Sequence, residues 1–361
     1  MNASKKRMRM WLAAVSVAAV ALVVAGCGGN DSDDTSTSDS GGELTKVTVM
    51  SDFAVPWVPQ VPWAVALDKG WFEEAGVDVD YIPPQGAAAP ARLVGVGKVD
   101  MAAVYTADVM STNEEGLKSK VLMSQATEKL PGGICYYADS GIETPKDLEG
   151  KTVAVYDYPQ GEYNFKHFLE ANGVDESQVE VVSAGANSAQ LLIAEKVDAI
   201  DGATALECPD AQIKSGKEVE TFLFDDSNGF PKGYFLELAA NEDWLAGNEE
   251  AARAVVETLQ RAQSWAEQNK DEALQIFVDS DTDNIVPEVA EASWDNLQDS
   301  WCGESASCWN PDQPIGFIDP KIWAEQASFF KEGGLLKSDG PEASSMLTDN
   351  KYLSDKYMPQ P

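Results

Sequence analysis

The chain has 361 residues, with 60 Asp and Glu against 26 Lys and Arg and a formal net charge of −34. That length allows two domains of ordinary size. That charge argues against a nucleic-acid binder, which needs clustered Lys and Arg, and against broad contact with anionic lipid.

Lys5, Lys6, Arg7 and Arg9 precede an apolar run from Trp11 to Ala25. The run is short for a spanning helix and follows a basic start, so residues 1–26 read as a secretory signal. It ends in Val24-Ala-Gly-Cys27, which resembles a bacterial lipobox, in which the Cys is lipidated and becomes the new N-terminus. The expected location is therefore extracytoplasmic, lipid-anchored to the bacterial cell membrane. Residues 27–43 read as a flexible tether, because Asn30 to Gly42 offers almost nothing apolar to bury.

Ordered structure is expected from Leu44. Lys46-Val-Thr-Val-Met50 is a short β-type run, followed by an aromatic, proline-rich turn from Ser51 to Gln60. A helix then ends at Lys69-Gly-Trp-Phe-Glu-Glu-Ala-Gly76, and a second strand, Val77 to Ile82, leads into Pro83-Pro-Gln-Gly-Ala87. Another helix, Lys98-Val-Asp100 and a strand from Met101 to Val104 complete the stretch. Strands alternating with helices mean βαβ units on a parallel sheet. In such sheets ligands sit beyond the carboxyl ends of the strands. Those ends carry Asp52, Phe53 and Trp57, then Gln85 and Gly86, then Tyr105 and Asp108.

After a polar turn and a strand from Val121 to Ala126, Leu130-Pro-Gly-Gly-Ile134 marks a break, and the pattern starts again. Lys151 to Tyr156 takes the role of Lys46 to Met50, and Tyr158-Pro-Gln-Gly161 is the next turn. Gly173-Val-Asp175 echoes Gly76-Val-Asp78, and Lys196-Val-Asp198 echoes Lys98-Val-Asp100. The strand Val179 to Val182 between them ends in Ser183-Ala-Gly-Ala-Asn187. Two copies about a hundred residues apart mean two similar lobes rather than a solenoid. The second copy contributes Tyr158, Gly161, Asn187 and, downstream, Glu207. Gly233 to Ala239 reads as a strand returning to the first lobe, and the remainder is mostly helical. Lobe I is then 44–133 with 233–361, and lobe II is 134–232.

After Cys27 four cysteines remain, and an exported chain meets an oxidising compartment, so the even count suggests disulfides. Three connectivities are open; we favour Cys302–Cys308, a short local loop, with Cys135–Cys208. A zinc site is the rival, but no CxxC occurs and the only His is His167. No HExxH, GxSxG or P-loop is present. No metal, cofactor or catalytic residue is expected.

Phe53, Trp57, Tyr105, Tyr156 and Tyr158 flank the strand ends, where aromatic faces hold flat rings and cations. Asp52, Asp108 and Glu207 suit an amino or amidine group. No Lys or Arg occurs in the turns 51–60, 84–87, 105–108, 158–162 or 185–188, which favours a neutral or cationic heterocycle. Free N–H groups at the helix starts near Gly86 and Gly161 could bind ligand oxygens.

The run Ala66-Leu-Asp-Lys-Gly-Trp-Phe-Glu-Glu-Ala-Gly-Val-Asp-Val, followed by Ile82-Pro-Pro and Leu93-Val-Gly-Val-Gly-Lys-Val-Asp100, resembles the NMT1/THI5-like family. Val104-Tyr-Thr-Ala-Asp-Val109 and Lys196-Val-Asp-Ala199 fit as well. The resemblance covers roughly Val47 to Ala240. It implies a type II periplasmic-binding-protein-like α/β fold, each lobe a mainly parallel sheet flanked by helices. It also implies a monomeric solute-binding protein that hands a thiamine pyrimidine precursor to an ABC permease and its ATPase. Binders of sulfonate, nitrate, riboflavin and quaternary amines are near relatives, and a secreted enzyme on the same fold is the rival from another class. Pyrimidine-binding members usually carry an Asp-Trp-x-Pro-Asn turn followed by a His and a Tyr. Here the turn reads Asp52-Phe-Ala-Val-Pro-Trp57, with Gln60 and Ala64 near the His and Tyr positions. The cysteine-rich motif and active-site His of the related eukaryotic enzyme are not matched.

Overall fold

The computed structural model describes residues 43–84, 89–126, 132–185, 187–297, 309–337 and 342–359, and the backbone of 298–302. The lipobox Cys27, the tether, Gln85, Gly86 and the Cys302–Cys308 pairing lie outside the described residues.

The first four strands are β1 (Thr45–Met50), β2 (Val77–Ile82), β3 (Met101–Tyr105) and β4 (Ser119–Ser124). Then follow β5 (Gly132–Tyr137), β6 (Thr152–Tyr156), β7 (Glu180–Ala184), β8 (Ala199–Ala203), β9 (Val219–Leu223) and β10 (Leu236–Asn241). They form two five-stranded sheets, ordered β2-β1-β3-β10-β4 and β7-β6-β8-β5-β9. In each, the fourth strand runs antiparallel to its neighbours and the other four point one way. Both sheets are therefore mixed, mainly parallel, and built to one plan. Strand β10 carries the chain back into the first sheet.

The repeated tripeptides have a physical reason. The Asp100 carboxylate accepts from the Thr48 backbone N–H at 2.8 Å, and the Asp198 carboxylate accepts from that of Thr152 at 2.8 Å. Each Lys-Val-Asp thus ties the start of one strand to its parallel neighbour. Each Gly-Val-Asp begins with a glycine at positive φ, +85° at Gly76 and +65° at Gly173, where the chain leaves a helix and turns into a strand or short helical turn.

Some boundaries differ from the sequence reading. Strand β5 already begins at Gly132, two residues before the expected start of the second lobe. Gly133 pairs there because a Cβ would lie 2.3 Å from the Phe222 carbonyl oxygen. The return strand starts at Leu236 rather than Gly233. Gly161 is not in the turn before a helix. Pro159 opens the helix Pro159–Ala171, because its fixed φ and missing N–H suit a first helical position, so Gly161 falls inside the first turn.

One face of the first sheet packs on the helices Val61–Asp68, Glu249–Gln268 and Lys270–Ser280. In the long helix Ala252, Val255, Val256, Leu259 and Ala262 recur at spacings of three and four and are all buried. The opposite face is covered by Pro90–Gly95, Thr106–Glu114 and Pro320–Glu332. The second sheet has an aromatic face around Phe165, Phe168, Phe224 and Phe230. Its other face holds Cys135 and Cys208, which form a disulfide with Cα atoms 5.9 Å apart. No helix among the described residues is long and apolar enough to cross a membrane.

Candidate functional site

The carboxyl ends of the two sheets' parallel strands meet around a cavity of about 110 Å³. Phe53, Trp57, Tyr105 and Phe235 line it from the first sheet's side. Tyr156, Tyr158, Gly161, Asn164, Asp201 and Glu207 line it from the second. Tyr105 and Tyr158 stack across it, with ring centroids 5.9 Å apart and planes 12° from parallel. Tyr156 lies 5.3 Å from Tyr158, and Phe235 lies 4.9 Å from Tyr105. The chamber is therefore a box of aromatic rings with a polar floor.

The first-sheet wall is held by Asp52, which is buried. Its carboxylate accepts from Trp57 Nε1 at 2.9 Å, from Gln60 Nε2 at 3.1 Å and, more weakly, from the Tyr105 hydroxyl at 3.4 Å. Burial pushes this carboxyl up to about 6, against the pull of those donors. Asp52 does not itself line the cavity; it sets the orientation of two rings that do.

The polar floor belongs to the second sheet. Glu207 opens the helix Glu207–Ser215, and one carboxylate oxygen accepts from the Ala203 backbone N–H at 3.0 Å. The other has no hydrogen-bond partner among the described residues. Burial raises its pKa, opposed by the Tyr156 hydroxyl and the Ala203 N–H. Asp201 sits in β8 with one oxygen unpartnered, and burial followed by the charge of Glu207 pushes its pKa far up. Asn164 Oδ1 is also buried and unpartnered. Three buried oxygens without a partner among the described residues thus line one small chamber. Buried polar atoms ordinarily have partners, so each of these calls for a donor. Tyr105, Tyr156 and Tyr158 are held neutral by burial, their pKa values raised well above the usual range. No Lys or Arg is among the described residues that line the chamber.

Of the residues named from sequence, Phe53, Trp57, Tyr105, Tyr158, Gly161 and Glu207 come together here. Gly161 lets its helix start press on the end of β6, since a Cβ would lie 2.6 Å from that of Tyr156. Asp108 lies beside the chamber, not in its wall, in the first turn of the helix Thr106–Glu114. Burial raises its carboxyl to about 6. Asn187 is exposed at the start of the helix Ser188–Ile193, because that helix's buried side faces the sheet and not the cleft. Cys208 follows Glu207 directly, so the disulfide ties the start of this helix to β5. Sequence reasoning missed Asp201, Asn164 and Phe235 as site residues. Asp201 had a signal, an acid inside the apolar run Ala199-Ile-Asp-Gly-Ala203. Asn164 follows Gly161 by three residues on one helix face.

Two lobes of like topology with a ligand-sized cleft at their strand ends define the architecture of a type II solute-binding protein. The alkanesulfonate-binding protein of Xanthomonas axonopodis has this fold, with a TM-score of 0.62 at 14% identity over 85% of this chain and 99% of that one. Residues 59–273 match the sequence profile of the NMT1/THI5-like family, and the chain belongs to that family. A formylaminopyrimidine-binding protein of Halalkalibacterium halodurans is 26% identical over 93% of this chain and 98% of its own length. A 4-amino-5-hydroxymethyl-2-methylpyrimidine phosphate synthase of Saccharomyces cerevisiae is 23% identical over 84% and 87%. The similarity thus reaches both binding proteins and synthases.

Proposed function

We propose that the chain is the capture protein of an importer and encloses a single amino-substituted heteroaromatic ring, of the pyrimidine type, between its two lobes. The observation that carries this reading is the set of unpartnered acceptors on Glu207, Asp201 and Asn164 beneath stacked tyrosines. An amino group supplies the missing donors, and the ring supplies a face for Tyr158 or Trp57. A carboxyl pushed toward its neutral form donates to a ring nitrogen and accepts from the adjacent amino group. The cavity of about 110 Å³ is somewhat below the ~150 Å³ that takes one benzene ring, which limits it to a single ring. A flavin exceeds that, and an anion would meet carboxyl groups and, among the described residues, no cation. The relative named for formylaminopyrimidine binding supports the same class.

Lobe I is 44–133 with 233–361 and lobe II is 134–232; closure about the crossing segments buries the ligand. Export and lipidation at Cys27 would hold the protein at the membrane, where the closed form docks on a permease driven by an ATPase. The chain works as a monomer and catalyses nothing. Calorimetry with aminopyrimidines, flavins, taurine, nitrate and betaine tests this. The expected result is tight binding of aminopyrimidines alone. Tight binding of taurine or nitrate overturns the ligand class, and turnover of a bound pyrimidine overturns the transport role.

A further inference from the structure

Glu207 is followed directly by Cys208, and the helix Glu207–Ser215 carries both. This helix starts without a side-chain cap, since Leu206 precedes it and makes no capping hydrogen bond. Helix starts leave N–H groups without partners inside the helix, so an uncapped start frays unless something else holds it. Here the Cys135–Cys208 bond does so, fastening the helix to β5, which lies between β8 and β9. Gly202 on β8 leaves room for the junction: a Cβ there would lie 3.3 Å from that of Glu207 and 3.4 Å from the Cys208 sulfur. The bond is also within reach of solvent. An open pocket of about 320 Å³ is lined by Cys208 together with Thr204, Gln212, Thr221 and Asn296. Cys135 is fully buried outside that lining, and its sulfur accepts from the Thr221 hydroxyl at 3.3 Å.

We infer that Cys135–Cys208 is a redox gate on capture: a dithiol entering this pocket opens the bond, the start of the helix loosens, and Glu207 no longer holds its ligand. This rests on the reading of Glu207 as a ligand group. The step is thiol–disulfide exchange. A thiolate of the dithiol attacks the Cys208 sulfur, the bond to Cys135 breaks, and Cys135 leaves as a thiolate that accepts from Thr221. The second thiol of the same molecule then displaces Cys208 from the mixed disulfide. The protein gains two electrons and the protons of both thiols, and the dithiol becomes a disulfide. The reverse exchange restores the bond and the grip on the ligand.

The test is calorimetry with 4-amino-2-methylpyrimidine on the wild type before and after dithiothreitol. The same titration on Cys135→Ala with Cys208→Ala removes this bond alone. Circular dichroism checks that both forms stay folded. Each should bind at least about fivefold more weakly than the oxidised wild type. In a Glu207→Gln background, opening the bond should change affinity by less than about twofold, because the bond acts through Glu207. Hydrogen exchange across residues 203–211 should rise on reduction, where the Ala203 N–H is held by Glu207. Thr221→Val should slow the reduction about fivefold, because the leaving sulfur loses its donor. An unchanged rate overturns Cys135 as the leaving sulfur. Equal affinity of the oxidised and reduced protein, or unchanged exchange at 203–211, overturns the gate and leaves the ring reading standing. Equal loss in the Glu207→Gln background, or unfolding on reduction, makes the bond merely structural and overturns the gate. Failure of the oxidised wild type to bind overturns the ring reading and the gate with it.

Discussion

Replacing Glu207 by Gln changes almost no volume and keeps an oxygen for the Ala203 N–H. It replaces a carboxyl whose free end can both accept and donate by an amide whose free end, with its oxygen held by the Ala203 N–H, only donates. Losing the accepting bond and leaving a buried donor unpaired costs roughly 1–3 kcal/mol, so affinity should fall about fivefold to a hundredfold. Glu162, exposed on the neighbouring helix, is the control; Glu162→Gln should change affinity by no more than about twofold. Stability should move the other way. The folded-state pKa of Glu207 is raised, chiefly by burial, so the native state binds its proton more tightly than the unfolded chain does. That contribution is fully present below the unfolded pKa and is lost as pH rises through the folded one. Ligand-free Glu207→Gln should therefore be more stable than wild type at pH 7.5 and gain nothing at pH 4. Calorimetry with an aminopyrimidine and melts at the two pH values read both effects. Tight binding of taurine or nitrate, insensitive to Glu207→Gln, would refute the charge argument. Equal loss of affinity and stability at pH 7.5 would mean the side chain is merely structural.

Asp52, almost fully buried with a pKa of about 6, should make the wild type lose on the order of 3 kcal/mol as pH rises from about 4 to 6. Urea titrations should show Asp52→Asn with a flatter profile across that window, and equal slopes would discount the burial. Cys27→Ser should move the protein from the membrane to the soluble fraction; unchanged retention on membranes counts against lipidation. Peptide mass mapping without reductant should join Cys135 to Cys208 and Cys302 to Cys308, whereas free thiols at all four positions would sink both pairs.

The alternation of strands and helices, and its recurrence, were legible because the repeat has a local cause. Asp100 and Asp198 each reach back to a backbone N–H of the preceding parallel strand, and Gly76 and Gly173 each turn the chain at positive φ. Residues in turns at strand ends, such as Trp57 and Tyr158, could be assigned because topology alone sends those turns to the cleft. Their partners could not. Asp52 looked like a ligand group from its place beside Trp57, yet its lone pairs are taken up by Trp57 and Gln60. Asp201 lies within a strand, and only the packing of β8 beside Glu207 turns a buried acid into a wall of the chamber. The same limit applies to Asn187, whose side of the helix is set by tertiary packing and not by its position after a strand.

The chemistry of the cleft follows from what its acids lack. Asp52, Asp201, Glu207 and Glu237 are all buried, and burial raises the pKa of each. Glu237 shows the consequence in geometry. The Thr106 hydroxyl lies 2.7 Å from the Tyr234 carbonyl oxygen and 2.8 Å from a Glu237 oxygen. A hydroxyl has one proton, and both neighbours would be acceptors were Glu237 ionised. Burial raises the Glu237 carboxyl well above its usual range and so favours its neutral form, against the pull of the Thr106 hydroxyl. A fold that keeps one carboxylic acid neutral beside β3 can do the same for Glu207 and Asp201 at the ends of its neighbours. Neutral acids need no Lys or Arg to be buried, and none stands among the described residues that line the chamber. They also repel no neutral ring. An anion would find only their O–H groups and, among the described residues lining the chamber, no Lys or Arg to offset its charge. The choice between an anion and an amino-heterocycle thus turns on whether the strand ends offer cations or carboxyl groups, and the described residues here offer carboxyl groups.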